Sequence, residues 1–130
     1  MEHDEQVALF QFIKAFEHQH PALKTIYAIP NGGHRSKAVA GKLKAEGVKS
    51  GVWDIHLPMA SAEWSDVYMK PVYIGLWIEM KYGKGRLTPN QKEWQSLMEE
   101  RGHKCVVCYS WQEAVLAIGD YLDIKFNVSL

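Results

Sequence analysis

The chain contains no apolar run approaching the roughly 20 residues of a membrane-spanning helix and no signal-peptide pattern. It has two cysteines, so a disulfide framework is excluded, and it has no repeats, low-complexity tracts or interdomain linkers. It also lacks net charge: fifteen Lys and Arg balance fifteen Asp and Glu, so overall charge points to no partner. These absences describe a soluble chain in a reducing compartment, with no membrane role. Cys105 and Cys108 stand three apart in "KCVVCYS". Strand spacing puts them on opposite faces as unbridged core thiols, and no second ligand pair stands at zinc spacing.

What is present is a core. At 130 residues and 47% hydrophobic, the chain suits one domain, expected over residues 1–122 with a short tail at 123–130. "EHDEQVALFQFIKAFEHQH" reads as a helix with a broad apolar stripe through Leu9, Phe12, Ile13 and Phe16, stopped at Pro21. "KTIYAIP" is a short strand. "HRSKAVAGKLKAEG" is a basic helix expected to turn Ala38, Val39 and Leu43 inward. "VWDIHLP" is a second strand, and 59–71 lacks a period and reads as a loop. "VYIGLWIEMK" is the longest strand. "LTPNQKEWQSLMEERG" is a helix with Thr88 as N-cap, Pro89 in its first turn and Gly102 as its stop. "HKCVVCY" is a strand, and a last helix follows the N-cap Ser110. The order α-β-α-β-β-α-β-α predicts an α/β or α+β sheet covered by helices, with the strands at 72–81 and 103–109 parallel.

Charge is unevenly placed. Residues 1–20 hold Glu2, Asp4, Glu5 and Glu17 against Lys14, while residues 31–50 hold Arg35, Lys37, Lys42, Lys44 and Lys49 against Glu46. This suits a metal site beside a phosphate-binding surface, and equally two solvated faces. Asn31-Gly32-Gly33 is a turn signal; followed by Arg35 and Lys37, its backbone N–H groups also suit a phosphate. Lys84 and Arg86 are further candidates for DNA contact.

Alternation in "VYIGLWIEMK" puts Ile74, Leu76 and Ile78 on one face and Tyr73, Gly75, Trp77, Glu79 and Lys81 on the other. Glu79 and Lys81 are then either a solvated ion pair or part of a site. Asp54, flanked by Trp53 and Ile55, is a carboxylate in an apolar strand, costly unless paired or bound to a cation. If its strand neighbours that of Glu79, two carboxylates and Lys81 converge. That set suits Mg²⁺ or Mn²⁺, with Lys81 holding or deprotonating a water that faces a phosphate, and so phosphodiester hydrolysis. His56 shares the face of Asp54.

"GVWDIHLP", "GLWIEMK" and "LTPNQKEW", preceded by "YAIPNGGHRSKAVAGKLKAEGVKSG", resemble the virus-type replication-repair nuclease (VRR-NUC) domain, a branch of the PD-(D/E)XK nucleases. The resemblance implies an αβββαβ restriction-endonuclease-like core with a central mixed sheet, and dependence on Mg²⁺ or Mn²⁺. It implies that Asp54 and Glu79 ligate metal, with the Met80 backbone carbonyl as a further ligand and Lys81 as the motif lysine. Gln91 matches the family's recurring glutamine, supporting the site or touching DNA. On the first helix an acid completes the shell: Glu2, one turn before Gln6 in an E-x-x-x-Q pattern, or else Glu5. Where the family often has Pro before the aspartate, this chain has Trp53. The small phage-type members it looks like are cytoplasmic, in a phage-infected or bacterial host cell, and act on branched DNA. The implied function is therefore a structure-specific endonuclease cutting four-way (Holliday) junctions as a homodimer, its contact drawn from Tyr68, Tyr73 or Trp77. The alternatives are a flap-type or less selective nuclease, or a non-catalytic DNA-binding module.

Overall fold

The computed structural model describes residues 1–30 and 35–130. Four strands form one mixed sheet in the order β1 (Tyr27–Ala28), β2 (Ile55–Leu57), β5 (Gly75–Met80), β6 (His103–Cys108). β2 runs antiparallel to both β1 and β5, and β5 and β6 run parallel, joined by helix α3 (Pro89–Glu100). Helices α1 (Glu2–Phe16) and α4 (Trp111–Leu122) cover the back of the sheet. There Leu9 and Ile13 meet Ile55, Leu57, Leu76, Ile78, Val115 and Ile118 in the main core. The fold is the mixed, helix-flanked α/β architecture expected.

Local chemistry explains the element ends. Thr88 caps α3 through its side chain, Pro89 occupies the first turn, and Gly102 leaves it at a left-handed φ of 91°. Ser110 caps α4 through Glu113 N–H. Helix α1 stops at Phe16, ahead of the expected stop at Pro21, and Pro21–Thr25 form a separate 3₁₀ turn with the proline in its first position.

Three expectations need correction. Helix α2 (Lys37–Ala45) forms, capped by Ser36, but buries no side chain: Ala38 and Val39 are exposed, Val39 by 48%, and Leu43 is half-buried. It stands beside an open cleft and not against the sheet. Ile74 is exposed while Leu76 and Ile78 are buried, because it precedes Gly75, where the regular pairing of β5 starts. The supposed loop at 59–71 contains a small hairpin, β3 (Trp64–Ser65) with β4 (Lys70–Pro71). Its strands are two residues long, and Ser61 Oγ, bonded to Tyr73 N–H, braces its base. So short a pairing has no burial period to detect. In the segment after α4, Phe126 packs edge-on against Phe12 and Phe16.

Both cysteines are free. Cys105 lies opposite Trp77 and Cys108 opposite Met80 in the sheet register, on alternate faces. Burial pushes both thiols up to about 12, which leaves them protonated and inert.

Candidate active site

The front of the sheet is open where β2 and β5 meet. The register Ile55↔Ile78 and His56↔Trp77 makes Asp54 the neighbour of Glu79. Each carboxylate accepts a backbone N–H from the neighbouring strand. Asp54 N–H donates to Glu79 Oε1 at 3.1 Å, and Met80 N–H donates to Asp54 Oδ2 at 2.9 Å. The ion pair of the strand end is not solvated: Lys81 Nζ lies 3.2 Å from Glu79 Oε2, and Glu79 and Lys81 are only 3% and 8% exposed.

Gln91 completes the network. Its Nε2 donates to Glu79 Oε2 at 2.9 Å, and its Oε1 accepts from Lys81 Nζ and from Thr88 N–H, both at 3.0 Å. Gln91 is the third residue of α3, and with Thr88 it forms a reciprocal capping box. One side chain therefore starts the helix and fastens the charged pair. Trp53, where the family often has proline, is fully buried, and its indole N–H donates to the Gln91 carbonyl at 2.9 Å. Beside it, Asn90 Nδ2 donates to Ser50 Oγ at 3.0 Å. Gly51, at φ 91°, passes so close that a Cβ would stand 2.6 Å from Asn90 backbone atoms. The entry to β2 and the start of α3 are thus stitched together around the carboxylates.

The electrostatics follow from this burial. Loss of water raises the Glu79 carboxyl to about 7, aided by the neighbouring Asp54 charge and opposed by Lys81. Asp54 is also raised, again mainly by burial, with Glu2 adding to the rise while the Met80 N–H and Lys81 oppose it. Two carboxylates with one buried cation are short of positive charge, and their donor atoms are all oxygen. That chemistry fits a hard divalent ion, which needs few protein ligands because it keeps its own waters. Among the described residues, no three His, Cys, Asp or Glu side chains are gathered as a ready-made ion cage.

A cleft of about 1090 Å³ opens above this network, between α2 and α3. Glu2, Asp54, Glu79, Lys81 and Gln91 line it together, so five expected site residues share one cavity. Glu5 does not: its Oε2 accepts from Trp111 N–H at 3.1 Å, at the start of α4. Arg35 lines the cleft and bonds to the Pro30 carbonyl. Lys37, Lys84 and Arg86 are exposed and are not among the lining residues. Asn31, Gly32 and Gly33 lie outside the described residues. His56 shares the Asp54 face but stacks on Trp77, ring centroids 4.0 Å apart, and bonds to Tyr27 Oη at 2.8 Å. Trp77 itself is buried, so it cannot serve as a contact between copies; Tyr73 is half-buried beside Tyr121, and only Tyr68 of the three stands free.

Sequence reasoning missed Trp94, Leu97 and Asn90 as cleft residues and the double duty of Gln91. The Thr-Pro-Asn-Gln spacing was the available signal for the latter, since a capping box needs a Gln or Glu at that place.

The VRR-NUC domain model matches residues 2–112. A solved structure described as a VRR_NUC domain protein superposes with a TM-score of 0.72 and is 25% identical, covering 99% of this chain and 95% of its own. No curated protein matches. With the family model spanning most of its length and a shared fold to match, the chain belongs to the VRR-NUC domain family.

Proposed function

We propose that the protein is a metal-dependent DNA endonuclease selective for branched DNA, with Asp54, Glu79, Lys81 and Gln91 as its working groups and Glu2 in support. Membership of the family makes the function nuclease-type, and nucleases of this family generally use divalent metals. One observation carries the residue assignment: two charge-starved carboxylates, a lysine and a glutamine are hydrogen-bonded together at the floor of an open cleft.

Asp54 and Glu79, with the Met80 carbonyl beside them, would hold Mg²⁺ or Mn²⁺, and Glu2 faces the same space. When bound, the ion supplies Lewis acidity toward a phosphate oxygen and lowers the pKa of water. The chain's own groups orient the reaction. Glu79 and Gln91 fix the Lys81 ammonium, which donates a hydrogen bond to the attacking water or to the phosphate as its charge grows. Water oxygen bonds to phosphorus as the water gives up a proton to solvent, one ester P–O bond breaks, and the departing oxygen takes a proton from solvent and leaves as an alcohol. Arg35 at the cleft, with exposed Lys37, Lys84, Arg86 and the Asn31-Gly32-Gly33 segment, would position the DNA backbone.

A four-way junction needs two symmetric cuts, and a two-fold dimer supplies two sites in that relation. The β3–β4 hairpin, with Trp64, Val67, Tyr68 and Met69 exposed, offers an apolar contact for a second copy. Flap cleavage needs only one site, so the oligomeric state separates the two readings. The test uses labelled four-way, flap and linear duplex DNA with Mg²⁺, Mn²⁺ or EDTA. Metal-dependent cutting that disappears in Asp54→Ala and Lys81→Ala is expected. Binding without cutting under every metal would leave only a DNA-binding module.

A further inference from the structure

The reactive groups lie deep, and the walls above them are of the wrong chemistry for a sugar-phosphate backbone alone. Glu79 and Lys81 are almost wholly buried at the cleft floor. From the α2 side the walls present Leu43 and Val48, and from α3 they present Trp94 and Leu97, the last 42% exposed. Because α2 buries no side chain and Val48 and Leu97 stay about two-fifths exposed, Leu43, Val48 and Leu97 are not packing the domain core, while Trp94 borders the cleft with its ring edge-on to buried Trp77. They face a space whose margin also carries Arg35, Lys44 and Lys49. Among the described residues, the Trp94 indole N–H is buried with no hydrogen-bond partner. Cations suit phosphates, whereas an apolar, indole-bearing slot suits the face of a nucleobase.

A paired strand keeps its bases stacked inside the duplex and cannot offer one to such a slot. The cleft's volume of about 1090 Å³ suits a few nucleotides of one strand. Resting on the nuclease reading above, we propose that the substrate strand enters unpaired. The base flanking the scissile phosphate lies between the Leu43–Val48 wall and the Trp94–Leu97 wall. Selectivity for branched DNA then comes from the ease with which a strand unpairs at the branch, read in the cleft, and not from the branch's overall shape. A fully paired linear duplex is cut slowly because opening it costs stacking and pairing energy.

The test compares three DNAs of one sequence: fully paired, with a four-nucleotide mismatched bubble, and single-stranded, with 2-aminopurine in the bubble region. In Mg²⁺ the bubble and single strand should be cut at least tenfold faster than the paired duplex. In Ca²⁺, binding should quench 2-aminopurine in the bubble, reporting stacking in the slot. Leu43→Asp and Val48→Asp should shrink both effects without lowering the melting temperature, since neither side chain packs the core. Trp94→Phe, which keeps the ring but removes the indole N–H, should weaken quenching less than Leu43→Asp. Equal cutting of paired and bubble DNA, or wall variants that behave as wild type, would overturn the slot while leaving the nuclease intact. If no DNA is cut, the nuclease reading falls, and the quenching result alone decides the slot. Stronger binding of the same bubble in RNA would overturn the assignment to DNA.

Discussion

The front of the sheet carries two partly buried polar clusters, set two residues apart along the same pair of strands. At one end Asp54, Glu79, Lys81 and Gln91 are joined by charged hydrogen bonds. At the other, His56 stacks on Trp77, Trp94 meets Trp77 edge-on, and Trp77 donates to His103 Nδ1 at 3.2 Å. Burial acts on both but with opposite sign: it raises the carboxyls and lowers the imidazoles of His56 and His103. Each end is pushed toward neutrality. Only the acidic end lies at the floor of the cleft, where a cation can enter and restore the charge. The aromatic end is a packed wall, and Gly75 is needed there because a Cβ would come within 2.6 Å of His103 Nδ1.

If that contrast holds, substitutions at the two ends should fail in different ways. Asp54→Asn or Lys81→Ala should lower the cleavage rate by about 10³-fold or more, as removal of metal-binding or charge-stabilising groups does. Asp54→Asn should leave the fold at least as stable, because it removes a buried charge. Single-turnover cleavage and thermal melting on the same sample separate the two effects. Trp77→Ala should do the reverse, destabilising by about 3–5 kcal/mol, the range for emptying a buried aromatic site. Urea denaturation measures it. A Trp77→Ala protein with normal stability would erase the distinction.

The acidic end should also make the metal-free protein pH-dependent. The folded Glu79 value of about 7 lies above its ordinary 4.5, so the folded chain retains a proton that the unfolded chain has released. The resulting stabilisation is complete below pH 4.5 and lost as pH rises through 7, a change of up to about 3 kcal/mol. In EDTA the melting temperature should therefore fall between pH 5 and 8. Glu79→Gln should flatten this slope, and Mg²⁺ should raise the curve most at the alkaline end. A melting temperature that rises over this range in EDTA would contradict the burial argument.

The site's charged members were legible in the sequence because their chemistry is local. A carboxylate in an apolar strand and an E-x-K strand end announce themselves, and the α/β order followed from periodicity and caps. The aromatic wall was not legible. Trp77 and His56 look like ordinary alternate-face residues until the register pairs them, and Trp94 reaches them from a helix 17 residues further on. Helix α2 misled for a different reason. Ala38, Val39 and Leu43 have core spacing, but amphipathicity states that an apolar face exists, not that the sheet covers it. The E-x-x-x-Q spacing alone favours Glu2 over Glu5; what the sequence could not show is that the Glu5 carboxylate is occupied by Trp111 N–H at the start of α4.

The smallest effect tests the joint between the helix cap and the charged network. Thr88→Ala removes the hydroxyl that accepts Gln91 N–H at 3.2 Å and should cost about 1 kcal/mol, the usual loss of a helix cap. If the cap only starts α3, activity should follow stability and return to normal at a lower temperature. Gln91 Oε1, however, accepts from both Thr88 N–H and Lys81 Nζ, so a loosened cap also frees the glutamine that anchors the lysine. Cleavage should then drop several-fold at temperatures where the variant is fully folded, with little change in DNA binding. Thr88→Ser, which keeps the hydroxyl, should restore both. A Thr88→Ala protein that melts earlier but cuts normally would show that the helix start and the acidic end are independent, and that Gln91 is held by Glu79 and the Trp53 bond to its backbone.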